Sequence, residues 1–123
     1  MADADPEAAL KRRVEARLTS LRAGEAPDWP GWERLAVLEH LAVEPTDDGA
    51  HAAQLLDGAP IPPFRLQEPL SEAVAHGNEA VALAIVAAGA VVPVRDAARA
   101  GMANLTDALI AAGGRINRRI PAA

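Results

Sequence analysis

Apolar residues return every three or four positions along most of this chain, and the runs break at Gly and Pro. Leu10, Val14, Leu18 and Leu21 follow spacings of four, four and three, which puts them on one face of a helix. Pro6 suits a first helical position, Glu7 complements the positive end of the helix dipole, and Asp5 stands before them as the N-cap. Gly24 and then Pro27 end the run. Lys11, Arg12, Arg13 and Arg17 lie off this stripe or on its flanks, so the stripe is expected to pack on the helices that follow.

A turn-rich segment, GEAPDWPGW, leads to a second helix that begins near Pro30 or Trp32. Trp32, Leu35, Leu38 and Leu41, with Ala36 and Ala42, keep helical spacing until Pro45 stops them. The register of Trp32 predicts a core position. Trp29, held between Asp28 and Pro30, is the better candidate for partial exposure and a binding hot spot. Thr46 or Asp47 is expected to cap a short third helix through His51, Leu55 and Leu56, closed by Gly58. Residues 59–69, APIPPFRLQEP, carry four prolines, which predicts an extended crossing or strand-like excursion.

The second half repeats itself. PLSEAVAHGNEAVALAIVAAGA at 69–90 aligns without a gap on PVRDAARAGMANLTDALIAAGG at 93–114, a shift of 24 residues. Pro69 matches Pro93, Ala73 matches Ala97, Gly77 matches Gly101, Val81 matches Leu105, Ile85 matches Leu109 and Gly89 matches Gly113. Each unit predicts a helix opened by Pro, a Gly turn, and a second helix closed by a Gly C-cap. A hairpin this small cannot bury its apolar face alone, so such units stack.

These residues resemble the ankyrin repeat. The resemblance rests on Pro69-Leu70-Ser71, Ala73, Gly77-Asn78, Val81, Ile85, Val86, Gly89-Ala90 and Val92. The next copy offers Ala97-Ala98, Gly101, Leu105, Leu109, Ile110, Gly113-Gly114 and Ile116-Asn117. A degenerate upstream copy is suggested by Ala42, Leu55, Leu56, Gly58, Ala59 and Ile61, with Thr46 where the turn Gly belongs. The period of 24 is shorter than the family's about 33, so the β-hairpin finger between the last two units is expected to be nearly absent. Ser71 also stands where the family has His. The resemblance implies a stack of helical hairpins that binds another protein without catalysis.

Composition supports close-packed helices: 30 of 123 residues are Ala and only Trp29, Trp32 and Phe64 are aromatic. Alanine favours helix and lets helices approach closely, whereas a β sandwich would want β-branched and aromatic residues. The absence of Cys excludes a disulfide frame, a thiolate nucleophile and Cys-based metal sites. The start has no secretory pattern and the apolar stretch from Ala80 to Val94 is too short to span a bilayer, so a cytoplasmic, membrane-free location is expected. The net charge of −5 is uneven: residues 1–23 carry +1, residues 24–84 carry −9 and residues 85–123 carry +3.

Little points to chemistry. His40, His51 and His76 lack metal-site spacing unless Glu39, Glu44 and His40 converge by folding. Ser20 and Ser71 have no nucleophile motif around them. The Gly-rich pieces end helices instead of opening them, the wrong polarity for a phosphate cradle. Arg95, Arg99, Arg115, Arg118 and Arg119 lack an aromatic neighbour for base stacking, which disfavours nucleic acid.

The expectation is a single all-α domain: N-terminal helices over 6–58, a proline-rich excursion over 59–68 and two ankyrin-like repeats over 69–118. No cofactor, metal or catalytic residue is assigned. The expected function is binding of a basic protein partner, such as a toxin or nuclease held by an inhibitor or immunity-type protein. The contact candidates are Glu25, Asp28, Trp29, Glu44, Asp47, Asp48, Asp57, Glu68 and Glu72. Two alternatives stay open at this point: a small enzyme or enzyme subunit using carboxylates in a groove of the stack, and a self-associating structural module.

Overall fold

The computed structural model describes residues 6–58 and 61–117, with side chains to residue 112. Among them lie seven α-helices, one 3-10 helix and no strand. α1 (Pro6–Arg22), α2 (Gly31–Val43) and α3 (Gly49–Leu56) precede the 3-10 helix (Pro63–Leu66); α4 (Gln67–Ala75), α5 (Glu79–Ala87), α6 (Val94–Arg99) and α7 (Ala103–Asn117) follow it. α2 packs with α3, α4 with α5 and α6 with α7, so the helices pair as three hairpins. The pairs are layered in chain order, α2 against α4, α3 against α5 and α5 against α7, while α1 lies on α2. The protein is therefore all-α, and no described helix is long and apolar enough to cross a membrane.

The 24-residue period is visible in the backbone. Gly77 and Gly101 adopt φ of 78° and 75°, a left-handed conformation that glycine takes without a Cβ clash. Behind them, Asn78 N–H donates to the Ala73 carbonyl at 2.8 Å and Met102 N–H to that of Ala97 at 3.0 Å. Gly77 N–H and Gly101 N–H donate to Val74 and Ala98, which completes a Schellman closure in each copy. The aligned pairs Ala73 and Ala97, Val81 and Leu105, and Ile85 and Leu109 are all buried. The first hairpin turns differently: Asp47, not a glycine, takes the positive φ, at 49°.

Several sequence expectations are corrected. Residues 63–68 are helical where an extended excursion was expected: Pro63 opens the 3-10 turn, whose last residue leads straight into α4. Pro69 consequently sits in the first turn of α4 and does not open it; its missing N–H has no intrahelical partner to lose there. Pro93, in contrast, immediately precedes α6. α7 runs through Gly113-Gly114 to Asn117, because glycine weakens a helix by about 1 kcal/mol without removing a hydrogen bond. Asp48, not Thr46 or Asp47, caps α3 by accepting from His51 N–H at 3.2 Å. The expected cap Asp5 and the repeat position Ala59 lie outside the described residues.

Helices of eight or nine residues are marginal in water by themselves, and here the hairpins complete one another's ends. Asn78 is 2% exposed, and its side-chain amide donates to the carbonyls of Ala42 at 2.8 Å and Glu44 at 2.7 Å, where α2 ends. In return, Asp47 reaches the start of α5 and accepts from Ala80 N–H and Val81 N–H, each at 3.0 Å. Glu79 does the same for the next layer, accepting from Leu105 N–H in the first turn of α7 at 3.0 Å. The layers also approach closely: a Cβ on Gly49 would stand 2.7 Å from the Ala80 Cβ. Gln67 clips the α5–α6 loop by donating to the Val91 carbonyl at 2.8 Å and accepting its N–H at 3.2 Å.

Replacing Asn78 with Ala leaves buried carbonyls at the end of α2 unpaired. Urea unfolding of Asn78→Ala is expected to show a loss of about 1 to 3 kcal/mol, and an unchanged midpoint would exclude this junction as a stabilising feature.

Candidate functional site

α1 is fixed to α2 by charge as well as by its apolar stripe. Val14, Leu18 and Leu21 are buried against the core, and Leu10 at the start of the stripe is 45% exposed. Arg13 and Arg17 are one turn apart on α1 and share a face. Both reach Glu33 in the first turn of α2, with Nε to Oε2 distances of 3.0 and 2.7 Å. Glu33 is only 3% exposed. The hydrogen bonds from Arg13 and then Arg17 outweigh its desolvation and hold its pKa at about 2. The same two guanidiniums lie over aromatic rings, Arg13 at 5.6 Å from the Trp32 centroid and Arg17 at 5.1 Å from that of Trp29.

The expectation of a core position for Trp32 is corrected, whereas Trp29 is partly exposed as expected. Trp32 is 56% exposed, while Trp29 is half-buried and packed against the core. Helical register alone placed Trp32 with Leu35, but the face at 33, 37, 38 and 41 is the one that meets α1 and α4, and it turns the indole outward.

Trp32 lines a groove of about 540 Å³. Its floor is Trp32, Leu35, Ala36 and Glu39 of α2, with Leu10 of α1 on one side and Ile61, Pro62, Phe64 and Arg65 on the other. Phe64 is 72% exposed, so the groove presents two aromatic side chains together with Leu10. Desolvation, then the nearby charges of Glu68 and Glu72, raise the pKa of Glu39 above the usual glutamate value. Among the described residues, none of these three carboxylates has an ion-pair partner. A depression of similar volume, about 560 Å³, lies between α3 and α5, but alanines dominate its lining and it offers no aromatic anchor.

The acids named from the sequence separate into two groups. Glu44 and Asp48 are held inside the fold: Arg22 Nη2 lies 2.6 Å from Glu44 and 3.3 Å from Asp48. His40 sits 3.1 Å from Glu44, and His51 Nδ1 sits 2.7 Å from Asp48. Partial burial disfavours the charge on both acids, yet their hydrogen bonds prevail and both pKa values fall. Asp47 is occupied at the start of α5. Glu25, Asp28, Asp57, Glu68 and Glu72 are exposed. Asp28 and Asp57 share a depression with Arg34, whose guanidinium donates to the Trp29, Leu55 and Asp57 carbonyls. The sequence reading missed Glu33, Glu39, Trp32 and Phe64 as site-forming residues. A signal for Glu33 was present in the Arg13 and Arg17 pair, but its partner 16 to 20 residues away was not legible.

No cluster of three metal-ligating side chains occurs among the described residues. His76 caps α4, its Nδ1 lying 2.9 Å from the Glu72 carbonyl. Arg118, Arg119 and the side chain of Arg115 lie outside the described residues. Comparison with known proteins finds no family model, curated protein or solved structure that matches this chain.

Because Glu33 has a lower pKa folded than unfolded, it contributes stability above its unfolded value near 4.5, and that stability is lost as pH falls toward about 2. Glu44 and Asp48 act in the same direction. Denaturation followed from pH 6 to pH 2 is expected to show a shallower acid-side decline in Glu33→Gln, which starts less stable at pH 6. A parallel profile in the two proteins would remove Glu33 from this role.

Proposed function

We propose that this chain is a non-catalytic protein-interaction module and that its partner seats in the groove along α2. The observation that carries this reading is the convergence of exposed Trp32, Phe64 and Leu10 on one concave surface. Large apolar side chains left together at a surface mark interaction sites, and aromatic residues supply most of the energy of such contacts. The ankyrin resemblance supports the same function: layered hairpins with a 24-residue period, left-handed Gly77 and Gly101, and buried aligned positions. The partner is basic. Glu39 lines the groove, opposite in charge to Arg65, and the acids Glu68 and Glu72 are near enough to act on it; opposite charge on a partner brings orientation and a faster encounter.

The acidic surface is therefore narrower than residues 24–84. Glu33, Glu44, Asp47 and Asp48 are spent on the fold, leaving Glu39 in the groove lining, with the exposed Glu68 and Glu72 near enough to act on its charge. A raised carboxylate at a groove is also what a general acid requires, so Glu39 supports the enzyme alternative as a second reading. Glu39 and Arg65 are the charged residues lining the groove, and its lining holds no His, Ser or second carboxylate. An activity abolished by Glu39→Gln while binding persists would favour that reading.

For the interaction module, affinity capture on the native chain should retain a basic protein that high salt releases. The Trp32→Ala, Phe64→Ala double variant should lose it while unfolding at nearly the same denaturant concentration, since both side chains are exposed. A partner held equally by both proteins would overturn the proposal.

A further inference from the structure

We infer that two copies of this chain pair through the groove in a two-fold symmetric contact, in which Glu39 of each copy meets Arg65 of the other and each Phe64 enters the opposite groove. This goes beyond the reading above and does not depend on it: a second copy occupies the surface on which the partner seats, so the two exclude each other. The makeup of the lining selects the second copy. Glu39 and Arg65 are its charged residues and both are exposed. They make no ion pair with each other or with any other group among the described residues. A segment of one charge sign satisfies one of them and meets the other with like charge. A two-fold axis through the groove removes that conflict, because an isologous contact sets residue i against j and j against i. The Glu39–Arg65 pair then forms twice.

Shape points the same way. Leu10, Trp32 and Phe64 are three of the seven large apolar side chains that stand exposed among the described residues, and all three line this groove. Phe64, on the 3-10 turn, forms a ridge beside a hollow of about 540 Å³ that Trp32 floors. A patch with both a projecting ring and a concave floor can exchange one for the other across a two-fold axis. Aromatic rings brought together offset or edge to face also attract beyond the area they bury. Two magnitudes limit the strength of the contact. Ten residues line the groove, against about 20 to 30 a side in a standard interface, which places the dimer in the weak class. The net charge of −5 on each copy opposes association, but at physiological ionic strength it is screened beyond about 8 Å, so the close pairs decide.

Sedimentation of the full chain at about 0.15 M salt, from about 1 μM to about 1 mM protein, reads the dimer directly; the expected Kd is about 10 to 100 μM. Glu39→Arg and Arg65→Glu each set like charges at both pairs, and each is expected to weaken dimerisation at least about tenfold. Mixed in equal amounts, the two variants restore opposite charges at both pairs and should form a heterodimer about as tight as the native dimer. A folding defect cannot produce that recovery, and circular dichroism checks each variant alone. Phe64→Ala should also weaken the dimer at least about tenfold. A chain that stays monomeric throughout overturns the inference, as does a mixture that shows no recovery. A dimer that Glu39→Arg, Arg65→Glu or Phe64→Ala leaves unchanged lies elsewhere and overturns it too. No partner enters these measurements, so the capture experiment with Trp32→Ala, Phe64→Ala judges the interaction reading separately.

Discussion

Side chains of one hairpin complete helix ends of the next, and the layered architecture depends on those bonds. α3, α4 and α5 have eight or nine residues and α6 has six, too few to sustain a helix in water without tertiary support. Helix-end groups are taken up across the layers: the Asn78 amide closes α2, the Asp47 carboxylate opens α5 and the Glu79 carboxylate opens α7. A buried polar side chain is costly when unpaired and specifying when paired. Asn78 meets three carbonyls from α2 and its C-terminal end, so it sets how the second hairpin sits on the first.

Small side chains make the exchange geometrically feasible. Carboxylates as short as that of Asp47 can reach a neighbouring helix only if the helices nearly touch, and Gly49 against Ala80 is such a contact. The alanine content of the chain is the corresponding sequence property. Bulkier residues at the buried positions Ala52, Ala73, Ala82 and Ala97 would force the layers apart.

At the N-terminal end a different interaction dominates. Glu33 draws Arg13 and Arg17 onto α2, and the same guanidiniums cover Trp29 and part of Trp32. The docking of α1 leaves Leu10 and the indole of Trp32 facing outward, where the proline-directed 3-10 turn brings Phe64 alongside. The candidate site is thus a by-product of how α1 and the 3-10 turn flank α2. Glu68 and Glu72 of α4, which packs on the same helix, are near enough to Glu39 to raise its pKa.

Much of the fold is legible in the sequence. The helix ends at Gly24 and Gly58, the hairpin period and the burial of Val81, Ile85, Leu105 and Leu109 follow from local spacing and turn chemistry, which depend on residues only a few positions apart. The site was not legible in the same way. Four of the acids in the middle of the chain look alike in sequence, yet Glu33 and Asp47 are consumed by partners 16 to 34 residues away, and Arg22, 22 to 26 residues away, joins the local partners His40 and His51 on Glu44 and Asp48. Trp32 shares a helical stripe with core leucines, but helical spacing defines a face without saying which neighbour covers it. The sequence by itself determined an all-helical, alanine-lubricated stack and an excess of negative charge. Only the tertiary structure decided which charges are free and which aromatics meet solvent, because long-range pairing and the competition of several helices for one surface have no signature at short sequence separation.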